Sequence, residues 1–391
     1  MKRFREEWRD IIEYFNSYGY QSEIKSAKRT LLEKPFVLYG AGAEGLEFAK
    51  VLEFGNIPPV CFCDKYKSGF EPNTGLNISN PNDLLDKYKD ANILISSSAY
   101  REEIEGDLRE LGVSPDRILP RRLLLLLLLQ CSQGVATYEK YLKRSHYLML
   151  FNALSDMVYN ENSPLLKGCE DTYNWLNDEK SKQVFIDYLK LCLIATPVIP
   201  SPASMQYFDP VIDLQDNEVF VDCGAYTGDT AEIFMRNTGN RYRYYYAFEP
   251  DESNFVSASA FLSDKANAAL IPKGLWSTDS SLNFKDGYTS SSGVCDDGES
   301  SVEVTSIDNY FADKHNIPTI IKMDIEGSEL EALKGAENTI REHKPKLAIC
   351  IYHKPEDLYE IPAIIKSYRE DYKLYIRHYT GTFSELVLYA I

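Results

Sequence analysis

The residues best suited to chemistry surround a glycine-rich loop in the second half of the chain. A buried strand is predicted to end at Asp222, and Gly224 and Gly228 follow within the segment 219–230. Glycines at these places let the backbone turn tightly and approach a ligand. Glu249 stands at the end of the next predicted strand, where a carboxylate can accept two ribose hydroxyls. The pattern predicts a site for a ribose-containing ligand at the carboxyl edge of a parallel sheet.

A second group of polar residues follows two later strands. Asp324 and Glu326 lie just beyond a strand predicted at 319–322, and His353 follows one predicted at 346–351. The carboxyl ends of parallel strands share one edge of a sheet, so these side chains are expected together. A carboxylate or the imidazole suits a general base, and the two carboxylates also suit Mg²⁺. Alternatively, Glu326 is a helix N-terminal acid and His353 is a structural residue.

These segments together resemble the FkbM family of S-adenosylmethionine-dependent methyltransferases. The resemblance covers about 205–391 and rests on Asp-x-Gly-x-x-x-Gly at 222–228, Phe-Glu-Pro at 248–250 and Asp-Ile-Glu-Gly at 324–327. Supporting segments lie at 205–208, 273–277, 306–308, 333–336 and 345–353. The family often carries a glutamate before its histidine, whereas Ile351 and Tyr352 precede His353 here. This difference leaves the identity of the base open.

The resemblance implies a class I methyltransferase fold with S-adenosylmethionine as the cofactor. Asp222, Gly224 and Gly228 would line its methionine end, Glu249 would hold its ribose, and Trp276 would flank its adenine. The full set assigned to the cofactor is Asp222, Gly224, Ala225, Tyr226, Thr227, Gly228, Glu249, Trp276 and Asp324. The candidate catalytic residues are Asp324, Glu326 and His353, and the candidate Mg²⁺ ligands are Asp324 and Glu326.

Another glycine loop lies near the N-terminus. Gly40, Gly42 and Gly45 follow a predicted strand and open a predicted helix, and Asp64 ends the next strand. This is the spacing of a dinucleotide fingerprint, with the helix N-terminus facing an anion. The stretch resembles the small nucleotide-binding module at the N-terminus of some sugar-modifying enzymes. A nucleotide or nucleotide-sugar site, an NAD site and a purely structural loop all stay open.

The order of elements predicts an α/β protein with two Rossmann-like, doubly wound domains joined by a helical segment. We expect an N-terminal helix at 1–34, a nucleotide-binding module at 35–122, a helical linker at 123–204 and a methyltransferase domain at 205–391. The leucine run at 123–129 is too short for a membrane span and indicates a buried helix or strand. A serine-rich segment at 290–297 is a candidate lid.

Charge and composition narrow the partners. The net charge of −17 argues against nucleic acid as the main partner, because no excess of Lys or Arg can neutralise phosphates. The charged N-terminus has no apolar signal core, and no transmembrane segment is predicted, so a cytoplasmic location is expected. The expected activity is O-methylation of a hydroxyl on a sugar or glycan precursor, a small molecule that is nucleotide-linked or lipid-linked. The alternative functions are an NAD-dependent oxidoreductase and a nucleotide-sugar-binding protein, each using the N-terminal glycine loop. Assembly as a homo-oligomer is left open.

Overall fold

The computed structural model describes residues 2–97, 100–132, 146–285, 293–294 and 300–391. Most of the candidate lid at 290–297 and residues 133–145 of the predicted helical linker lie outside this part of the chain. The chain forms two compact units. Unit 1 contains residues 1–161, 186–199 and 380–383, and unit 2 contains 162–185, 200–379 and 384–391. The segment 123–204, predicted as a linker, is thus divided between the two units.

Unit 1 begins with two helices, α1 (Lys2–Phe15) and α2 (Tyr18–Glu33), where the sequence predicted one. The break comes at Ser17, whose side chain accepts a hydrogen bond from the Tyr20 amide and thereby caps α2. Further helices are α3 (Ala43–Phe54), α4 (Arg101–Glu110), α5 (Arg121–Ser132) and α6 (His146–Tyr159). The leucine run belongs to α5, so it forms a helix and not a strand.

A five-stranded sheet forms the centre of unit 1. Its strands are β1 (Phe36–Tyr39), β2 (Cys61–Cys63), β3 (Gly69–Glu71), β4 (Leu76–Ser79) and β5 (Asn92–Ile95). They run in the order β3-β4-β2-β1-β5, and all pairs are parallel except β3 with β4. The strands β3 and β4 were not predicted, because short, half-exposed strands carry little hydrophobic signal.

Unit 2 begins with α7 (Pro164–Trp175) and the first residues of α8 (Glu179–Ile194). Its main sheet contains β6 (Val219–Cys223), β7 (Tyr244–Phe248), β8 (Ala268–Ile271), β13 (Ile320–Met323), β14 (Lys346–Cys350), β15 (Leu374–His378) and β16 (Leu386–Ala390). The helices α9 (Asp229–Asn237), α10 (Glu252–Leu262), α11 (Ile307–Phe311), α12 (Glu329–Lys334), α13 (Glu337–His343) and α14 (Asp357–Tyr368) connect or flank these strands.

The strand order in this sheet is β15-β16-β14-β13-β6-β7-β8. Pairing is parallel from β14 to β8, and β16 runs antiparallel to both β14 and β15. The chain moves outward from β6 through β7 to β8 and then crosses to β13 on the other side of β6. This reversal opens a crevice at the carboxyl ends of β6 and β13, where ligands bind in open α/β sheets.

A smaller four-stranded sheet in unit 2 was not predicted. It is formed by β9 (Gly274–Leu275), β10 (Ser280–Lys285), β11 (Gly293–Val294) and β12 (Ser300–Thr305), in the order β11-β10-β12-β9. The predicted α/β class is otherwise confirmed, and so are the main-sheet strands predicted at 319–322 and 346–351, to within about one residue. None of the described helices has both the length and the apolar character that crossing a bilayer requires.

Candidate active site

A cavity of about 320 Å³ occupies the crevice between β6 and β13. Residues from the ends of β6, β7 and β13, and from the segments beside β14 and β16, form its wall. Those used below are Gln206, Tyr207, Gly224, Tyr226, Glu249, Pro250, Leu275, Lys322, Asp324, Glu326, Tyr352 and Glu385. The predicted residues Asp222, Ala225, Thr227, Gly228, Trp276 and His353 are not part of this wall.

Gly224 has φ of +83°, a conformation that side chains disfavour. A Cβ atom there would lie 2.0 Å from the carbonyl oxygen of Asp324. Only glycine therefore lets the loop after β6 pack against the loop after β13. Gly228, with φ of +90°, precedes α9 as its N-cap, while Ala225 is buried and Thr227 is exposed. These three residues shape the loop without lining the cavity.

Glu249 lies at the end of β7 with 5% of its surface exposed. Its Oε2 accepts a hydrogen bond from the Tyr226 amide at 2.8 Å, and its Oε1 accepts one from the Asp251 amide at 2.9 Å. Burial raises the pKa of this carboxyl above its ordinary value. Each carboxylate oxygen has about two lone pairs, so each can accept one more hydrogen bond. This is the capacity needed to bind the two hydroxyls of a ribose.

The wall beside Glu249 is apolar. Pro250 and Leu275 line it, and together they offer a surface for a flat ring. The sequence assigned this role to Trp276, but Trp276 is half-buried outside the wall, and its amide donates to the Thr305 carbonyl. Successive residues of β9 and its continuation point to opposite faces, so Leu275, to which the sequence assigned no role, lines the cavity and Trp276 does not.

Asp222 is fully buried below the cavity. Its Oδ1 lies 3.0 Å from Nζ of Lys322, and its Oδ2 accepts a hydrogen bond from the Tyr245 hydroxyl. Burial raises the pKa of this carboxyl. Lys322 lines the cavity floor and also donates to the Gly224 carbonyl at 2.7 Å. Asp222 thus acts on the loop through Lys322, a residue that sequence reasoning missed although a lysine inside the buried run 320–323 is unusual.

Asp324 connects the cavity to the polar groups behind it. Its Oδ2 accepts from the Tyr207 hydroxyl at 2.7 Å, and its Oδ1 accepts from the Tyr352 hydroxyl at 3.3 Å. Burial alone would raise the pKa of Asp324, but Lys322, His353 and Tyr207 together lower it. Asp324 is therefore held in its ionised form.

Glu326 is a lining residue whose acidity suits proton transfer near neutral pH. Its backbone has φ of +55°, and its side chain is 23% exposed. Burial, reinforced by neighbouring carboxylates, raises its pKa to about 8 despite the opposing charge of His353. A general base works best when its pKa lies near the working pH. Glu326 therefore has the acidity of a base that takes a proton from a hydroxyl.

His353 does not have the properties of that base. It is 1% exposed, and its Nδ1 lies 2.9 Å from Oε1 of the buried Glu329. Its Nε2 lies 3.4 Å from Asp324 and 3.7 Å from Glu326. Burial alone would lower the pKa of His353, but these carboxylates raise it to about 10. The imidazole is therefore protonated at neutral pH and serves as a counter-charge.

Several lining residues were given no role from the sequence, among them Glu385, Gln206 and Tyr207. Glu385 precedes β16 with φ of +62°, accepts a hydrogen bond from the Gln206 amide, and has its pKa raised by burial to about 7. Gln206 also donates to the Tyr207 hydroxyl at 2.9 Å. These residues come from distant parts of the chain, so spacing gave no signal that they meet.

The predicted Mg²⁺ pair does not match the group that the structure assembles. Asp324, Glu329 and His353 each place one ligand atom within 4.8 Å of the others, and Glu326 is not part of this group. Mg²⁺ requires oxygen ligands in octahedral geometry. A group of two carboxylates and one imidazole lacks the set of oxygen ligands that Mg²⁺ prefers, so it does not fit that ion.

In unit 1 the structure brings Asp64 to the N-terminal glycine loop. Its Oδ2 accepts from the Ala41 amide at 2.9 Å, and its Oδ1 accepts from the amides of Tyr66 and Lys67. Gly40 has φ of +109°, and a Cβ on Gly45 would lie 1.9 Å from the Gly40 carbonyl oxygen. Gly42 has no atom near the position of a Cβ. The loop thus has the predicted turn and an open approach, while Asp64 is engaged with the backbone.

The strand order, the antiparallel β16 and the cavity at the reversal define a class I methyltransferase fold in unit 2. Residues 222–373 match the family described as Methyltransferase FkbM domain. This match shows that unit 2 contains a methyltransferase domain. Residues 32–119 match a different family, described as C2185-like, N-terminal, and not a named nucleotide-binding module.

Two similar proteins are informative. The methyltransferase FkbM of Methylobacillus flagellatus KT has a similar solved structure, with a TM-score of 0.64 and 23% identity. The alignment covers 95% of this chain and 98% of that one. The hexuronic acid methyltransferase AglP of Haloferax volcanii is 27% identical over 135 residues, which are 33% of this chain and 54% of AglP. The match thus spans about half the length of that relative.

Proposed function

We propose that this protein is an S-adenosylmethionine-dependent O-methyltransferase whose acceptor is a hydroxyl group on a sugar or glycan precursor. The observation that carries the proposal is a single cavity with two different carboxylate ends. Glu249 at one end has spare hydrogen-bonding capacity and an apolar wall beside it. Glu326 at the other end has a pKa of about 8. The first end suits a nucleoside cofactor, and the second suits a weakly acidic hydroxyl that must lose its proton.

The residues that would hold the cofactor are Glu249 for the ribose, Pro250 and Leu275 for the adenine, and the backbone at Gly224 for the methionine end. When bound, S-adenosylmethionine supplies an electrophilic methyl group on a sulfonium. Lys322 fixes the Gly224 loop, Asp324 stays ionised, and Glu326 accepts the proton of the acceptor hydroxyl. Positioning contributes most to such a displacement, and the base adds ~10²–10⁴-fold.

A sugar acceptor is supported by the hydroxyl-rich lining and by the relative AglP, which is named for hexuronic acid methylation. The Tyr352 hydroxyl oxygen and the Gln206 amide oxygen can each accept a hydrogen bond from a polyol hydroxyl. The acceptor would be a small molecule, either nucleotide-linked or lipid-linked. The charge of −17 supports a function that does not involve nucleic acid.

Calorimetric titration with S-adenosylmethionine and S-adenosylhomocysteine tests the cofactor. We expect micromolar binding to the wild type and weaker binding to Glu249→Gln, by ~1–3 kcal/mol, because a hydrogen bond to a charged group is lost. Glu252→Gln is the matched control, since Glu252 is an exposed acid in the first turn of α10. Absence of binding to folded wild-type protein would reject the proposal.

Nucleotide binding at the N-terminal glycine loop is a separate proposal. Its support is the turn at Gly40 and the open space at Gly42. Gly42→Ala should fold normally, because its φ of −84° suits alanine, but the methyl group would obstruct a phosphate. Calorimetric titration with UDP-glucose and with NADH should therefore show binding to the wild-type protein and weaker binding to Gly42→Ala. If neither compound binds the wild type, the loop is structural.

A further inference from the structure

The cavity lies along the carboxyl edge of the main sheet, and its lining residues form two halves on the two sides of β6. Glu249 and Leu275 follow β7 and β8, on one side of β6, and form the half assigned to the cofactor. The opposite half lies over β13, β14 and β16. Its polar lining includes three carboxyl groups, two phenol hydroxyls and one amide, belonging to Asp324, Glu326, Glu385, Tyr207, Tyr352 and Gln206.

This second half, called the acceptor half below, has too few cations for its carboxyl groups. Lys322 is the one lysine or arginine among the described lining residues, and its ammonium already contacts Asp222 and the Gly224 carbonyl. His353 lies behind the wall and pairs with Glu329. Lys354, the residue after His353, donates a hydrogen bond to the Gly327 carbonyl. No described cation is thus left to face a ligand in this half.

The raised pKa values of the carboxyl groups in this half reflect their burial and the small number of cations near them. The pKa of Glu326 is raised to about 8, that of Glu385 to about 7, and that of the buried Asp357 behind them to about 8. Desolvation is the largest cause in each case, and repulsion from neighbouring carboxylates adds to it. A ligand carboxylate placed here would be desolvated beside the ionised Asp324 and would oppose the ionisation of Glu326 and Glu385, which is an unfavourable arrangement. An ammonium group would instead gain partners.

We propose, building on the proposed function, that the acceptor half selects a sugar ring without a carboxylate, with an amino sugar as the preferred class, and that Glu326 and Glu385 exclude hexuronic acids. Specificity of this kind arises from an unfavourable contact with the wrong ligand as much as from a favourable one with the right ligand. The acceptor would thus differ from the hexuronic acid in the name of the relative AglP.

The test uses three probes that share one ring: methyl glucoside, methyl 2-amino-2-deoxyglucoside and methyl glucuronide. Each is titrated at constant ionic strength into protein saturated with S-adenosylhomocysteine, and its Kd is measured by ligand-observed NMR. We expect the amine to bind best, the neutral glucoside next, and the glucuronide at least ~10-fold more weakly than the amine. Glu326→Gln and Glu385→Gln should each reduce this ratio.

Glu331→Gln is the control, because Glu331 on α12 faces Lys334 at the surface and should leave the ratio unchanged. Thermal unfolding of each variant verifies that it is folded. Equal or tighter binding of the glucuronide, or no binding of any probe to the saturated protein, would overturn the proposal. Failure of the proposed function itself is recognised earlier, because S-adenosylhomocysteine would not bind.

Discussion

Replacing Lys322 by methionine would leave the Asp222 carboxylate buried without a counter-charge. Both side chains are at most 2% exposed, and Nζ lies 3.0 Å from Oδ1. Tyr245 would be the remaining hydrogen-bond donor to Asp222. The aliphatic part of lysine and the methionine side chain are similar in volume, so the substitution changes charge far more than packing. Unit 2 should lose stability, and its glycine loop should lose the hydrogen bond at Gly224.

The expected magnitude follows from the geometry. Two unit charges 3.0 Å apart attract by ~5.5 kcal/mol at an effective dielectric constant of ~20. Removing one partner of a buried pair costs ~3–5 kcal/mol, because the other charge stays desolvated. The double variant Asp222→Asn/Lys322→Met carries no charge at either position, so we expect it to be more stable than Lys322→Met alone. Lys334→Met breaks a surface pair and should cost less than ~1 kcal/mol.

Urea unfolding measured by tryptophan fluorescence reports this effect. The chain has three tryptophans, of which Trp175 and Trp276 belong to unit 2 and Trp8 to unit 1. A Trp8→Phe background therefore restricts the signal to unit 2, and phenylalanine fits because the buried Trp8 indole nitrogen has no hydrogen-bond partner. A loss below ~1 kcal/mol in Lys322→Met, or a double variant no more stable than Lys322→Met, would refute the reasoning.

Three further predictions concern the same site. First, the folded pKa of His353, about 10, exceeds the ordinary value of 6.5, so its stabilisation is complete below about 6.5 and is lost as the pH rises through about 10. The decrease in the free energy of unfolding between pH 7 and pH 10, measured with urea, should be smaller in His353→Gln and unchanged in His343→Gln, which replaces an exposed histidine. An equal decrease in the two variants would contradict this prediction. Second, Glu326 has a folded pKa of about 8, so its ionisation destabilises the protein as the pH rises through about 8. Glu326→Gln should raise the Tm at pH 9, unlike Glu331→Gln, and an unchanged Tm would show that Glu326 is not desolvated. Third, Gly224→Ala places a Cβ 2.0 Å from the Asp324 carbonyl oxygen. It should abolish S-adenosylhomocysteine binding and lower the free energy of unfolding by more than ~2 kcal/mol, whereas Gly42→Ala should do neither. Calorimetry and urea unfolding of both variants test this prediction.

Local sequence determined the order of elements and the two glycine loops. Buried strands such as β6 and β7 carry continuous apolar runs, and their carboxyl ends are marked by Asp222 and Glu249. A glycine with positive φ, such as Gly224, is recognisable from its position after a strand. These signals act over a few residues, so the α/β class, the main-sheet strands and the placement of Glu249 and Asp324 beside one cavity followed from them.

Tertiary structure alone decided which side chains face the cavity and which are ionised. The single-residue alternation of β9 turns Leu275 inward and Trp276 away, and Glu385 and Gln206 meet across a long separation along the chain. His353 changed from a candidate base to a counter-charge because three carboxylates surround it, while Glu326 gained the acidity of a base through burial. Desolvation and charge–charge interactions act through space, and a pattern of residues along the chain does not contain those distances.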